Sequence, residues 1–180
     1  MRDDALSVIV CGSSAAQLVS AYLIPLRQAT DLPLRVLLTH SAERFVRAEA
    51  LAFCAEELYR SDTPDLNPTE FARRSRALVV LPATAHTLAS AALGLAGGPA
   101  QTALLAADRP ALFFPSMNAA MWDRATTRRH VTTLRGDGHA VVDPVDRDTF
   151  ELWQRRVTTA PSLPPPETVT KTVTEWIRHD

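Results

Sequence analysis

Residues 76–96 read RALVVLPATAHTLASAALGLA. Arg76 to Leu81 is a short apolar run of strand length, rich in β-branched residues, and Pro82 closes it because proline has no N–H to give a ladder. From Thr84 to Ala96 the composition turns to that of an Ala/Leu-rich helix, ended by Gly97-Gly98. A strand followed at once by a helix is half of a βαβ unit, and the rest of the chain repeats the pattern. Leu6 to Cys11 (LSVIVC) is punctuated by Gly12-Ser13-Ser14 and followed by helical Ala15 to Gln28, in which Pro25 is expected to kink or end the helix. Leu34 to Thr39 (LRVLLT) is a second strand, after which Ser41 can cap a helix through Phe45 and beyond. Ala111 to Phe114 (ALFF), closed by Pro115, precedes a helix begun by Asn118 and another over Ala125 to Arg135, stopped by Gly136 and Gly138. His139 to Val142 is a fifth strand. Strands alternating with helices, the strands nearly continuous in apolar residues, imply an α/β protein: a mostly parallel sheet covered on both faces by helices.

The chain has 180 residues, enough for one domain with its own core. With 46% apolar and 22% charged residues the composition is that of a globular protein, and a formal net charge of −1 gives no electrostatic case for nucleic acid or an anionic membrane. Two cysteines, Cys11 and Cys54, make neither a disulfide framework nor a metal pattern, and no metal site is expected. No apolar run reaches membrane-spanning length and Met1 to Asp4 lacks a signal-peptide layout, so a cytoplasmic location is expected. Beyond Asp143 the composition becomes polar, with few helix or strand signals except at Phe150 to Trp153. Ala160 to Pro166 (APSLPPP) is proline-rich and extended, and Glu167 to Arg178 returns to helix with Val169, Val173, Trp176 and Ile177 on one face.

In open parallel sheets ligands bind beyond the carboxyl ends of the strands. Four polar clusters stand there: Gly12-Ser13-Ser14, Thr39-His40-Ser41, Pro82-Ala83-Thr84-Ala85-His86-Thr87 and Pro115-Ser116-Met117-Asn118. Glycine lets backbone approach a ligand, while hydroxyls and helix N–H groups suit a phosphate. Their convergence points to a nucleotide or a phosphate-bearing cofactor. The G-x-G-x-x-G dinucleotide fingerprint is absent, which lowers NAD and NADP.

Pro115 to Trp122 (PSMNAAMW) resembles the P-x-M-N-x-x-M-W signature of the flavin-containing cysteine decarboxylase family, and Pro82 to Ala96 its P-A-S-A-N-T motif, in the family's order and spacing. Gly12 to Ala16 and Leu38 to Phe45 are similar to its two other flavin loops, and the likeness covers about residues 6–145. The resemblance implies a Rossmann-like flavoprotein domain over residues 1–145 that binds FMN and assembles as a trimer or dodecamer. Gly12, Ser13, Ser14, Thr39, Ser41, Thr84, Ala85, Thr87 and Met117 would hold FMN, and Asn118 the substrate carboxylate. Residues 146–166 correspond to a substrate clamp or a flexible segment, with Ser162 near the clamp's end, and residues 167–180 to a C-terminal helix. The activity implied is oxidative decarboxylation of the C-terminal cysteine of a ribosomal precursor peptide, as in lanthipeptide biosynthesis, to an aminoenethiol.

Three departures qualify the resemblance. The family's decarboxylating members carry a histidine at the position of Pro68, and proline has no base to offer. His86, where the family motif has asparagine, is the candidate replacement, with Glu70 a weaker one, because a histidine titrates near neutrality. No cysteine follows Cys54, whereas the coenzyme A branch, which acts on phosphopantothenoylcysteine, keeps a late cysteine to reduce its enethiol. Three alternatives stay open: a non-catalytic FMN- or partner-binding subunit of a biosynthetic assembly, a phosphopantothenoylcysteine decarboxylase, and a flavin prenyltransferase.

Overall fold

The computed structural model describes residues 4–151 and 155–179. Six parallel strands form the sheet: β1 Ala5–Val10, β2 Leu34–Leu38, β3 Glu57–Arg60, β4 Ser75–Ala83, β5 Ala111–Pro115 and β6 Ala140–Val141. Their order is β3-β2-β1-β4-β5-β6. The order reverses direction between β1 and β4, so the crevice beyond their carboxyl ends is where such a sheet receives a ligand.

Side chains alternate across the sheet, and each set finds its own cover. Leu6, Val8, Val10, Val36, Val79, Leu81 and Phe114 pack on one face with Leu23 and Leu26 of α1 (Ser20–Ala29) and Val169 and Val173 of the last helix. Ile9, Leu37, Leu78, Val80 and Phe113 pack on the other. That face is covered by α3 (Pro68–Arg73), α4 (Ala85–Ala92), α5 (Pro99–Ala106) and α7 (Ala125–Gly136), through Phe71, Leu88, Leu104, Val131 and Leu134. Two short helices, α2 (Ala48–Leu51) and α6 (Ala119–Trp122), complete the layers. Among the described residues, Arg35 is the one large polar side chain sunk in this core, 1% exposed. It donates to Ser7 Oγ and to the Phe71 carbonyl, both at 2.9 Å, and stacks on the Phe71 ring, which ties α3 to the sheet.

Several sequence expectations are corrected. Strand β3 and helix α5 carried too weak a signal: β3 is a half-buried edge strand, and α5 opens on Gly98-Pro99 directly after a loop read only as a stop. Helix α4 ends at Ala92, because Gly94 takes the left-handed conformation (φ 65°) and Leu95 N–H closes back on the Ser90 carbonyl at 2.8 Å. Pro25 does not end α1, which runs on to Ala29 with Leu26 buried beyond it. Ser41 precedes a single 3-10 turn, Ala42–Arg44, and its hydroxyl makes no capping bond.

The polar segment after Asp143 is an antiparallel ribbon, β7 (Val145–Glu151) with β8 (Arg156–Ser162), Val145 pairing with Ser162 and Arg147 with Ala160. Sequence reading gave it few strand signals because its residues are polar on both faces. Of the expected Phe150–Trp153 signal, Leu152 and Trp153 lie outside the described residues. Helix α8 (Pro166–His179) docks its Val169–Val173 stripe as expected, and Arg76 donates to the Ile177 carbonyl at 2.7 Å to close its C-terminal end.

His139, at the entry to β6, supplies a pH-dependent tie. Its Nδ1 accepts from the Ala111 backbone N–H at 2.9 Å, which requires an unprotonated nitrogen, and burial holds its pKa below the usual 6.5. The unfolded chain therefore takes up this proton first. The tie's stability is complete above about pH 6.5 and is lost as pH falls through the lowered native value. Glu56 and Glu57, whose pKa values are held below 4.5, act only at lower pH. In urea titrations between pH 7 and 5, the wild type should lose roughly 1 kcal/mol more than His139→Gln, which keeps an acceptor but does not titrate.

Candidate functional site

The loop after β1 meets the loop after β2 because the two strands pair in register, Val10 opposite Leu38. Thr39 N–H and Thr39 Oγ1 both donate to the Val10 carbonyl, at 3.0 and 3.1 Å, and Thr39 Oγ1 lies 3.3 Å from Ser41 Oγ. Gly12 is required by this approach: a Cβ there would stand 2.5 Å from Ser41 Cβ. At the next strand end, Thr84 caps α4 by accepting from Thr87 N–H. The first N–H groups of α4, at Ala85 and His86, have no acceptor within the helix. Asn118 caps α6 in the same way, Oδ1 accepting from Met121 N–H at 2.9 Å. That bond fixes the amide, so its Nδ2 is the group left to donate.

These four strand ends enclose one cavity of about 660 Å³, lined by Gly12, Ser13, Ser14, Thr39, Ser41, Thr84, Ala85, His86, Thr87, Gln101, Ser116, Met117, Asn118 and Met121. Each sequence-nominated flavin residue is on this lining, with Asn118 and His86, whereas Ser162 is not. Its size is that of a cofactor pocket. Hydroxyls and free helix N–H groups give it a phosphate-compatible end, and Met117, Met121 and Ala85 offer apolar surface to a ring system. The residues present therefore fit a flavin mononucleotide. Thr87 contributes differently from the others: it is 2% exposed and donates its hydroxyl to Cys11 Sγ at 3.1 Å beneath the cavity floor. Burial pushes the Cys11 thiol up to about 11, so it stays protonated and unreactive.

A second chamber, of about 530 Å³, lies between the domain and the β7–β8 ribbon. It shares Ser13, Ser14, Ser116, Met117 and Asn118 with the first and adds Tyr22, Arg147, Thr149 and Ser162. The partition is a hydroxyl pair, Ser13 Oγ and Ser116 Oγ, 2.8 Å apart. Asn118 thus stands where both chambers meet.

His86 is exposed at the cavity wall, its Nε2 3.3 Å from Gln101 Nε2. An amide nitrogen only donates, so Nε2 is the accepting atom and the neutral ring carries its proton on Nδ1. Pro68 begins α3 behind the cap of Asn67, whose Oδ1 accepts from Thr69 and Glu70 N–H at 3.1 and 3.2 Å; neither Pro68 nor Glu70 lines either chamber. Gln101, Ser116, Tyr22 and Arg147 escaped the sequence reading as site residues. Only Ser116, within the P-S-M-N stretch, carried a local signal. Among the described residues no group of three or more His, Cys, Asp or Glu is placed to hold a metal ion, and no helix is long and apolar enough to cross a membrane.

Comparison with known proteins matches residues 1–178 to the family model described as Flavoprotein. The chain is 30% identical over 155 residues to the mersacidin decarboxylase of Bacillus sp. strain HIL-Y85/54728, covering 84% of this chain and 79% of that protein. It is similar in structure to the FMN-dependent cysteine decarboxylase SpaF, with 28% identity, a TM-score of 0.81 and 97% of each chain covered. It is 38% identical over 126 residues to the coenzyme A biosynthesis bifunctional protein CoaBC of Mycobacterium tuberculosis strain H37Rv, but that match takes in 66% of this chain and 30% of the longer protein.

Proposed function

Because this chain belongs to the Flavoprotein family, we propose that it is an FMN-dependent decarboxylase that converts the C-terminal cysteine of a ribosomal precursor peptide to an aminoenethiol. One observation carries the reading: Asn118, with a free amide donor, stands on the wall shared by a flavin-sized cavity and a second chamber roofed by the ribbon. The 30% identity to the mersacidin decarboxylase over 84% of the chain and the likeness to SpaF over 97% of it support a peptide rather than a phosphopantothenoyl substrate. The lack of a cysteine after Cys54 supports the same choice.

FMN, when bound, supplies a two-electron acceptor next to the cysteine. Gly12, Ser13, Ser14, Thr39, Ser41, Thr84 and Ala85 would hold it, with Met117 against the ring and Thr87 supporting Thr84 through a 3.1 Å hydroxyl contact. Asn118 Nδ2 donates to the substrate carboxylate. A neutral amide orients that group without the full charge that would stabilise it against loss of CO₂. His86 Nε2 takes a substrate proton, in the role left vacant at Pro68. Ser162 lines the outer chamber on the peptide's side. The protein acts in the cytoplasm as a homo-oligomer, trimer or dodecamer; the exposed Leu93, Leu95 and Leu105 around the α4–α5 corner support assembly.

The purified protein should be yellow and should take from a peptide ending in cysteine the mass of CO₂ plus two hydrogens. His86→Ala should abolish turnover while flavin absorbance stays. Unchanged peptide mass with FMN-loaded protein would favour the second reading, a non-catalytic flavin-binding subunit, which the proline at position 68 supports.

A further inference from the structure

Arg147 projects from β7 on the same side of the ribbon as Val145 and Thr149, since side chains alternate along a strand. It lines the outer chamber together with Tyr22, Ser162 and Asn118, and it does not line the flavin cavity. Tyr22, 6% exposed and donating to the Pro164 carbonyl at 3.1 Å, shares this wall; burial raises its pKa, while Arg147 lowers it and Glu167 raises it. Among the described residues Arg147 has no ion-pair partner. Asp148, its neighbour in sequence, also lines the chamber, and its carboxylate accepts from Thr159 Oγ1 at 3.0 Å across the ribbon. A guanidinium without an ion pair among the described residues is thus presented to a chamber whose inner end is the Asn118 amide. A peptide whose terminal cysteine reaches Asn118 must run outward through this chamber, passing the guanidinium with the residues that precede the cysteine.

We propose that Arg147 is a specificity-determining residue that selects precursor peptides carrying an acidic side chain among the few residues before the terminal cysteine. The inference rests on the peptide-decarboxylase reading above. It assigns the terminal carboxylate to Asn118 and a separate, upstream carboxylate to Arg147. A guanidinium gives such a group a charged, two-pronged contact that a neutral side chain cannot replace.

The test uses FMN-loaded full-length protein and pentapeptides ending in cysteine, with Glu or Gln placed in turn at each of the four preceding positions. Binding is read by fluorescence anisotropy and turnover by mass, so that the two can fail separately. At one position the Glu peptide should bind about tenfold more tightly than its Gln counterpart, the size expected of a partly screened charged hydrogen bond. Arg147→Met should bring that ratio to about one, and Arg147→Glu should turn the preference toward Lys at the same position. A ratio near one at every position in the wild type, or a preference that survives in Arg147→Met, overturns the proposal. So does an equal loss for Glu and Gln peptides in Arg147→Met, which would place the terminal carboxylate on this arginine. A charge preference without any decarboxylation would uphold the role of Arg147 and count against the assigned reaction instead.

Discussion

Asn118→Asp should lower decarboxylation at least about 100-fold while the protein stays folded and yellow. The substitution separates two jobs held by one side chain. As a helix cap, Asn118 uses only Oδ1, which accepts from Met121 N–H at 2.9 Å. Aspartate has an oxygen for that bond and is as good a cap. In its proposed role as carboxylate holder, Asn118 would use Nδ2, for which aspartate substitutes an anion facing an anion. A misplacement of about 1 Å costs on the order of 100-fold in rate, and the added repulsion works in the same direction. Asn118→Ala is the weaker experiment, since it also removes the cap, worth about 1 kcal/mol. Single-turnover rates with flavin content measured on the same samples decide the matter: Asn118→Asp turning over within tenfold of wild type would remove Asn118 from the chemistry.

Gly12→Ala should empty the flavin site. In most loops this exchange is mildly stabilising, by about 0.4–1 kcal/mol, because it restricts the unfolded chain. Here the sign reverses. The new methyl would lie 2.5 Å from Ser41 Cβ and 2.7 Å from the Ser41 carbonyl carbon, so backbone must move and not merely a rotamer. The loop that moves carries Thr39 and Ser41, two of the hydroxyls on the cavity wall. The expected result is a destabilisation of about 1–3 kcal/mol, as for overpacking, together with at least a tenfold weaker uptake of FMN. Flavin titration followed by absorbance, beside a urea unfolding curve, measures both. Retained FMN affinity in the alanine variant would show that the two loops need not meet for cofactor binding.

The sequence made much of this architecture legible, for uneven reasons. Apolar runs such as Ala77–Leu81 are buried on both faces, and their composition follows from that burial. Strand β3 is different. Its residues Glu57 to Arg60 are half-buried or exposed at the sheet edge, and they are selected by ion pairs, such as Arg74 with Glu57 at 2.9 Å, that leave no periodic signal. The ribbon was hidden for a related reason: its strands rest on each other and on the chamber, so polar residues serve on either face. In the site, side chains at strand ends were visible because proline or glycine marks the place where each strand stops. Gln101 and Arg147 could not be found that way. They reach the cavities from α5 and β7, elements whose placement depends on tertiary packing, and neither residue type is distinctive in those surroundings.

The ribbon is fastened at its two feet. Arg135 donates to the Val141 carbonyl at 2.7 Å and to Asp143 at 3.0 Å just before β7. Tyr22 holds the Pro164 carbonyl just after β8. Between these clasps nothing in the ribbon belongs to the six-stranded sheet. On the proposed reading, the part that would meet the peptide is therefore an interchangeable roof on a fixed house. A different hairpin grafted between Asp143 and Leu163 would inherit the same cofactor seat and the same Asn118, and would bring its own taste in peptides. Diversification of substrate within such a framework needs new residues on some twenty positions and leaves the costly, deeply interlocked sheet as it was.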